Sequence, residues 1–289
     1  MPTERPFLTA RWTELLILNF AVPREVVARI APPGTEPDLH DGQAYASVIG
    51  FQFRDPRLRG LALPGHRRFA EVNLRYYVRR QAGGQVRRGV VFVREIAPQP
   101  AVAAVARWVY NESYVTRRMQ SQVCTAGDRL AAGDRVGYAW QNGRWPIWPW
   151  RSRRWSRIRA RVAAAPQLPA AGSLEEFIVE HYWAYVRGRD GTTREYRVAH
   201  RPWRVAAADE VAWECDVAAT YGDTPFAPFL ERPPTMAMIA DGSPVQVFRG
   251  RPLDVDAATP FARRGIHHDG TTDFRLCAGL PTPHAGAQQ

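Results

Sequence analysis

The chain contains no lysine. Its 39 basic residues are all arginine, spread over 289 residues with a formal net charge of +11. A GC-rich coding sequence accounts for part of this bias, since Ala, Pro and Gly are also plentiful. The chemical consequence holds regardless: no ε-amine is present to form a Schiff base or to act as base or nucleophile. Cysteine is nearly as scarce. Cys124, Cys215 and Cys277 are odd in number, far apart and in no metal-ligand spacing, as expected of incidental thiols in a reduced, cytoplasmic protein. Long apolar runs are missing too. Residues 15–18 form one of the better ones, and Asn19 and Pro23 break it well short of the roughly 18 residues of a membrane span. No basic region followed by an apolar one opens the chain, so no signal peptide is expected. A phosphate-binding glycine loop, a nucleophile elbow and an internal repeat are all absent. No cofactor is expected.

The rest of the composition is ordinary for a soluble globular protein, with 45% hydrophobic and 23% charged residues. The length suits one β-rich domain. Three parts are expected: an N-terminal arm over 1–11, a single domain over 12–253 and a weakly ordered tail over 254–289. Residues 12–20 read as a strand, and PREVVARI as a short helix with Pro23 near its first turn, where a missing N–H is harmless. An Asp41-Gly42 turn leads into AYASVIGFQF, whose alternation suggests a strand covered on both faces. Residues 56–66, rich in Arg, Gly and Pro, read as a loop. In FAEVNLRYYVRR, Glu71, Asn73, Arg75 and Tyr77 share one face and Val72, Leu74, Tyr76 and Val78 the other. Gly83-Gly84 is a hairpin turn into a strand at 90–93.

Residues 89–119 look central. A strand and a Pro-punctuated turn lead into an Ala/Val-rich helix near Pro100, free of long polar side chains over 101–106 and so expected to be buried. Its exit carries Tyr110, Asn111, Glu112, Tyr114, Arg117 and Arg118, a polar cluster placed to line a pocket. Beyond it, 121–132 and 136–140 read as strands joined by a Gly133-Asp134 turn, and Asn142-Gly143 is a strong hairpin signal. Ser173 caps a helix written SLEEFIVEHYWAYV, with Glu176 at the capping-box position. REYRVAH reads as a strand before the Pro202-Trp203 corner, and 217–230 is ambiguous. Many evenly spaced strands with three short helices predict a mainly β, barrel-like domain.

Residues 140–161 hold five of the ten tryptophans and seven arginines. Arg157, Arg159 and Arg161 alternate with Ile158, Ala160 and Val162, so they form the solvated face of a strand. Such a segment can stack bases and neutralise phosphates, but cation–π ladders over a barrel exterior explain it better. Charge alone does not make nucleic acid the expected partner, nor is a membrane expected. Among the histidines, His181 follows Glu180 without the second His a zinc helix needs. His200 reads as a turn-pinning residue, and the neighbouring pair His267-His268 cannot face one ion from a strand. No metal site is expected.

Taken together, WTELLILNFAVP, DGQAYASVIGFQF, FAEVNLRYYV, VYNESY, SLEEFIVEHYWAY and VAHRPWRV resemble the uncharacterised YqjF-like bacterial family over residues 12–245. That family is regarded as a relative of acetoacetate decarboxylase. The resemblance implies a closed, mainly antiparallel β-barrel or cone with a central pocket. In the decarboxylases an Arg is followed seven residues later by the Schiff-base lysine. Here Arg107 takes the Arg position and Tyr114 falls where the lysine should stand, while Glu71 resembles the pocket glutamate. The pocket carries over and the lysine mechanism does not.

Three readings remain open. In the first, a small molecule, anionic or carboxylate-bearing, binds in a pocket formed by Glu71, Arg75, Arg107, Tyr110, Asn111, Glu112 and Tyr114, the arginines favouring an anion. In the second, the same pocket performs lysine-independent acid–base chemistry of a lyase or isomerase kind, with Glu71 as base and Tyr114 as acid. In the third, the Trp/Arg segment makes the protein a basic interaction module. The sequence does not decide between enzyme and binding protein, nor does it give an oligomeric state.

Overall fold

A computed structural model describes residues 4–100, 113–127, 129–143, 154–188 and 190–253. They fall within one unit, Met1–Ala258. Several expected features lie outside the described residues: the central helix with Arg107, Tyr110, Asn111 and Glu112, the stretch holding Trp145, Trp148 and Trp150, and the segment from 254 onward.

Three long strands dominate: β1 (Leu8–Val22), β3 (Ala44–Leu58) and β5 (Arg68–Ala82), with β3 pairing antiparallel to both others. Helix α1 (Arg24–Ile30) comes directly after Pro23, and the two-residue β2 (Glu36–Pro37) pairs with β5. The order runs on from β5 to β6 (Gln85–Ala97), then to β11 (Trp183–Arg187), β12 (Thr193–His200) and, from the far side of β1, β14 (Met236–Val247). Because β12 also pairs with the end of β14, through Val198↔Val247, Ala199↔Gln246 and His200↔Val245, these seven strands close into a ring. The rest of β14 pairs with β13 (Val205–Glu214), which continues through β10 (Trp155–Val162) and β9 (Arg135–Gln141) to β8 (Met119–Cys124). Three short strands complete the sheet: β4 (Leu61–Ala62) on β3, β7 (Tyr114–Thr116) on β6 and β15 (Arg251–Pro252) on β12.

Period-two alternation gives each ring strand two apolar faces. One set, including Leu15, Ile17, Ile49, Phe51, Phe53, Tyr77, Val90, Ala184, Val198 and Val245, draws on all seven ring strands and therefore faces the interior. The other set, including Leu16, Leu18, Val48, Val72 and Leu74, packs outward against Tyr138, Trp140, Ile158 and Ala160 of the extension. Helices α3 (Val217–Tyr221) and α4 (Ala227–Leu230) add Val217, Tyr221 and Leu230 to that outer layer, with Phe226 just ahead of α4. The approach is close at Gly50, where a Cβ would meet the Tyr138 ring at 2.4 Å.

Helix α2 (Leu174–Val179) begins as expected, with the Glu176 N–H donating to the Ser173 hydroxyl at 3.2 Å. It ends at Val179 instead of running on to Val186, and Trp183–Arg187 becomes strand β11 between β6 and β12. Ladder bonds on both sides, with β-favouring Trp183, Tyr185 and Val186, outweigh the helical periodicity. The expected loop over 56–66 is largely a hairpin. Arg59 and Gly60 both take positive φ (49° and 84°) between the paired Leu58 and Leu61, as a type I′ turn requires. Arginine is a rare residue there, so the turn carried no strong signal. Strand β1 begins at Leu8, inside the stretch read as an arm. Strand β8 stops at Cys124, well before 132. Asn142-Gly143 is not a two-residue hairpin either, because β9 and β10 pair from Gln141↔Trp155.

The tryptophan and arginine segment divides. Trp140 is fully buried, while Arg157 pairs with Glu214 at 3.1 Å and Arg161 with Asp209 at 2.8 Å and Glu210 at 3.0 Å. The alternation is as read, and among the described residues carboxylates of β13 answer these arginines.

Candidate functional site

Inside the ring lies a cavity of about 160 Å³. Strand β5 supplies one wall with alternate residues Glu71, Asn73 and Arg75, all buried. Register with β3 places Phe51 beside Glu71, Ile49 beside Asn73 and Ser47 beside Arg75. On the other flank Glu95 of β6 stands opposite Asn73, and Tyr114 of β7 beside Glu95. Five polar side chains thus converge from three neighbouring strands.

Glu95 reaches the cavity through a bulge. Strand β6 presents Val90 and Phe92 inward, but between Leu74↔Arg94 and Arg75↔Phe92 it carries one extra residue, Val93. A bulge reverses the parity of the residues beyond it, so Glu95 turns in where strict alternation would have chosen Arg94. Sequence reasoning missed Glu95 for this reason. Asn73 was on the right face but not singled out.

The Tyr114 hydroxyl donates to Glu71 Oε2 at 2.9 Å. Burial is the main influence on Glu71 and raises its pKa from 4.5 to about 7, partly offset by hydrogen bonds from Tyr114 and Asn73. Burial likewise raises Tyr114 well above 10, helped by the negative charges of Glu71 and Glu95. Tyr114 therefore keeps its proton at neutral pH, the reverse of the lowered pKa a tyrosine base would need. Arg75 donates from Nη2 to the Ile178 carbonyl of α2 at 3.1 Å and lies 5.4 Å from the Tyr77 ring centroid. Its Nε and the Asn73 Oδ1 are buried without hydrogen-bond partners among the described residues. Glu71, Arg75 and Tyr114 thus line one cavity.

The other walls are apolar. Trp12 packs 5.3 Å from Phe51, 5.8 Å from Phe53 and 6.2 Å from Trp203 between ring centroids, and Phe53 stacks on Phe69 at 4.9 Å. The hairpin of β3 and β4 supplies Pro56, Leu58, Leu63 and His66. Leu58, Leu63 and His66 are partly exposed, which marks this side as the rim. At the opposite end α2 adds Phe177, Ile178 and Val179 to the interior as a floor.

His181 and His200 make structural contacts. His181 Nε2 meets Asp38 Oδ2 at 3.0 Å, and Arg88 Nε donates to the same oxygen at 2.7 Å. Burial lowers His181 to about 4, so it is neutral at pH 7. His200 bonds the Arg201 carbonyl at 2.9 Å and stacks on Trp203 at 4.4 Å. No cluster of three or more metal-ligating side chains occurs among the described residues, nor any helix long and apolar enough to cross a membrane.

A ring of mainly antiparallel strands around an interior cavity defines a class, the acetoacetate decarboxylase-like fold. The chain is similar to an acetoacetate decarboxylase-like enzyme from Sphingomonas wittichii RW1, with TM-score 0.56 and 12% identity over 85% of this chain and 92% of that one. It is similar to the acetoacetate decarboxylase of Legionella pneumophila, with TM-score 0.55 and 11% identity over 88% and 92%. The enduracididine biosynthesis enzyme MppR complexed with pyruvate gives TM-score 0.55 and 18% identity over 89% and 93%. At these identities the likeness is one of fold alone. Within that fold, the chain belongs to the DUF2071 family of uncharacterised conserved proteins, whose profile matches residues 9–244. The uncharacterised protein YqjF of Bacillus subtilis (strain 168) is a relative, 25% identical over 201 residues that cover 68% of this chain and 74% of that protein.

Proposed function

We propose that the ring cavity binds a small molecule bearing a carboxylate or similar anionic group, with Arg75 as its charged contact and without a Schiff-base step. One observation carries this reading: Arg75 Nε and Asn73 Oδ1 are buried at the cavity wall without partners among the described residues. A buried polar atom left unpaired costs about 1–3 kcal/mol, a cost that a ligand supplying an acceptor to one and a donor to the other would remove. Arg107 joins this proposal through the family resemblance, and Tyr110, Asn111 and Glu112 through the polar cluster read from the sequence. Pyruvate, named with MppR, belongs in a first panel of small carboxylates. Isothermal titration should give one site per chain, and Arg75→Met should weaken the binding about ten- to a hundredfold, as expected for losing a hydrogen bond to a charged group. Equal affinity in the variant would refute Arg75 as the contact.

A second reading rests on Glu71. A carboxyl near pH 7, hydrogen-bonded by a tyrosine that retains its proton, is suited to moving a proton at an activated carbon. Here Glu71 is the base and Tyr114 the hydrogen-bond donor that orients it and supplies a proton. Deuterium exchange at the carbon next to the keto group of a bound keto acid should be fast in the parent and absent in Glu71→Gln, with binding retained. Exchange that persists in the variant sinks this reading and leaves the first intact.

A further inference from the structure

The polar groups of the cavity occupy a small part of its lining. Along β5 and β3, successive inward pairs are Phe69 with Phe53, Glu71 with Phe51, and Asn73 with Ile49, before Arg75 beside Ser47. From Asn73 to Phe69 is four residues, or about 13 Å of strand; Trp12, in register with Phe53, and Trp203 line the same cavity. Trp12 packs tilted on Phe51 and edge-on to Trp203, which also stacks on the His200 ring. A ligand no larger than a two- or three-carbon acid could reach Arg75, but it would leave this aromatic section without contacts. An apolar space of this order stays dry and takes up benzene-sized guests, and an unfilled one forfeits dispersion contacts along its whole lining.

We infer that the ligand is an amphipathic acid: a carboxylate head that accepts from Arg75, and an alkyl or aryl body lying along Trp12, Phe51, Phe53 and Phe69 toward the rim. The head assignment rests on the function proposed above, whereas the body rests on the aromatic lining. The partly exposed rim at Leu58, Leu63 and His66 would admit such a molecule tail-last. The head would then lie against the floor, where Arg75 is tied to the Ile178 carbonyl.

Both parts can be read from one set of titrations on the full chain. The probes are acetate, butanoate, hexanoate, octanoate and 3-phenylpropanoate, all below their aggregation limits, with octanol and octylamine as head-group controls. Affinity should rise about threefold to fourfold for each added methylene, at one molecule per chain, until the aromatic section is filled. 3-Phenylpropanoate should bind far more tightly than acetate. Phe69→Leu should weaken octanoate several-fold and leave acetate unchanged. Should that variant fold poorly, Leu63→Asn at the rim should show the same selectivity. Acetate binding as tightly as octanoate overturns the inference and spares the anionic-ligand reading. Octylamine or octanol binding as tightly as octanoate, with the same chain-length dependence, overturns the carboxylate head and supports the apolar body. Binding of none of the probes overturns both.

Discussion

Glu71 is a buried carboxyl group that folding perturbs at the cavity wall. Its carboxyl holds a proton up to about pH 7 in the fold, against 4.5 when unhindered by burial. A group whose pKa is raised by folding lends its full stability below the lower value and loses it as pH rises through the higher one. The protein should therefore lose stability between about pH 4.5 and 7 on account of this residue. Glu71→Gln, uncharged at every pH, should match the parent near pH 4.5 and exceed it at pH 8 by on the order of 3 kcal/mol. Urea unfolding at the two pH values measures this, and an unchanged difference would show that Glu71 is ionised without cost. His181 has the opposite sign: lowered from 6.5 to about 4, it withdraws stability as pH falls through that window. At this scale the sequence was legible where alternation held. Glu71, Asn73, Arg75 and Tyr77 sit on one face of one strand, and their polar character among apolar neighbours marked that face as unusual. Glu95 was not legible, because the bulge at Val93 depends on pairing with β5 and no local residue type announces it.

Among the elements, the long strands could be read and their partners could not. Strands β1, β3 and β5 carry apolar residues on both faces because one face lines the ring and the other meets the extension. The sequence shows two covered faces without saying what covers them. Gly50 is where the covering is tightest. Ala at this position puts a methyl group into the Tyr138 ring, so Gly50→Ala should cost about 1–3 kcal/mol. A loss of several degrees in Tm is the expected reading, and a neutral result would mean that Tyr138 moves aside freely. Helix α2 and strand β11 show the opposite case. Their combined stretch has a helical pattern, yet Trp183 sits in register with Gly89 of β6 and Arg197 of β12. Gly89 is itself required there, since a Cβ would lie 2.6 Å from the Tyr185 ring and 2.7 Å from the Trp183 carbonyl. Such long-range pairing overrides local propensity and cannot be seen from within the segment.

For the whole molecule, the 39 arginines are less available than their number suggests. Arg80 and Arg87 share Glu195, Arg88 pairs with Asp38, and Arg157 and Arg161 pair with the acidic residues of β13. The exposed pairs of Arg157 and Arg161 add little stability, but all of these pairs turn guanidinium groups toward carboxylates and away from a polyanion. A gel shift with single-stranded DNA at low salt should show weak retardation that disappears by moderate salt. Tight, salt-resistant binding would revive the reading of the tryptophan and arginine segment as an interaction surface.

The ring also places β1 between β3 and β14, two partners that leave the ribosome at very different times. Strand β3 emerges within a few dozen residues and can pair at once. Strand β14, from Met236, emerges only after most of the chain has been made. Until then β1 presents an open edge of backbone donors and acceptors, a known hazard for association between chains. Assembly dominated by such distant pairing is slow, in the millisecond-to-second range. A nascent chain stalled before residue 236 should therefore engage chaperones or aggregate, whereas one extended past 253 should resist protease.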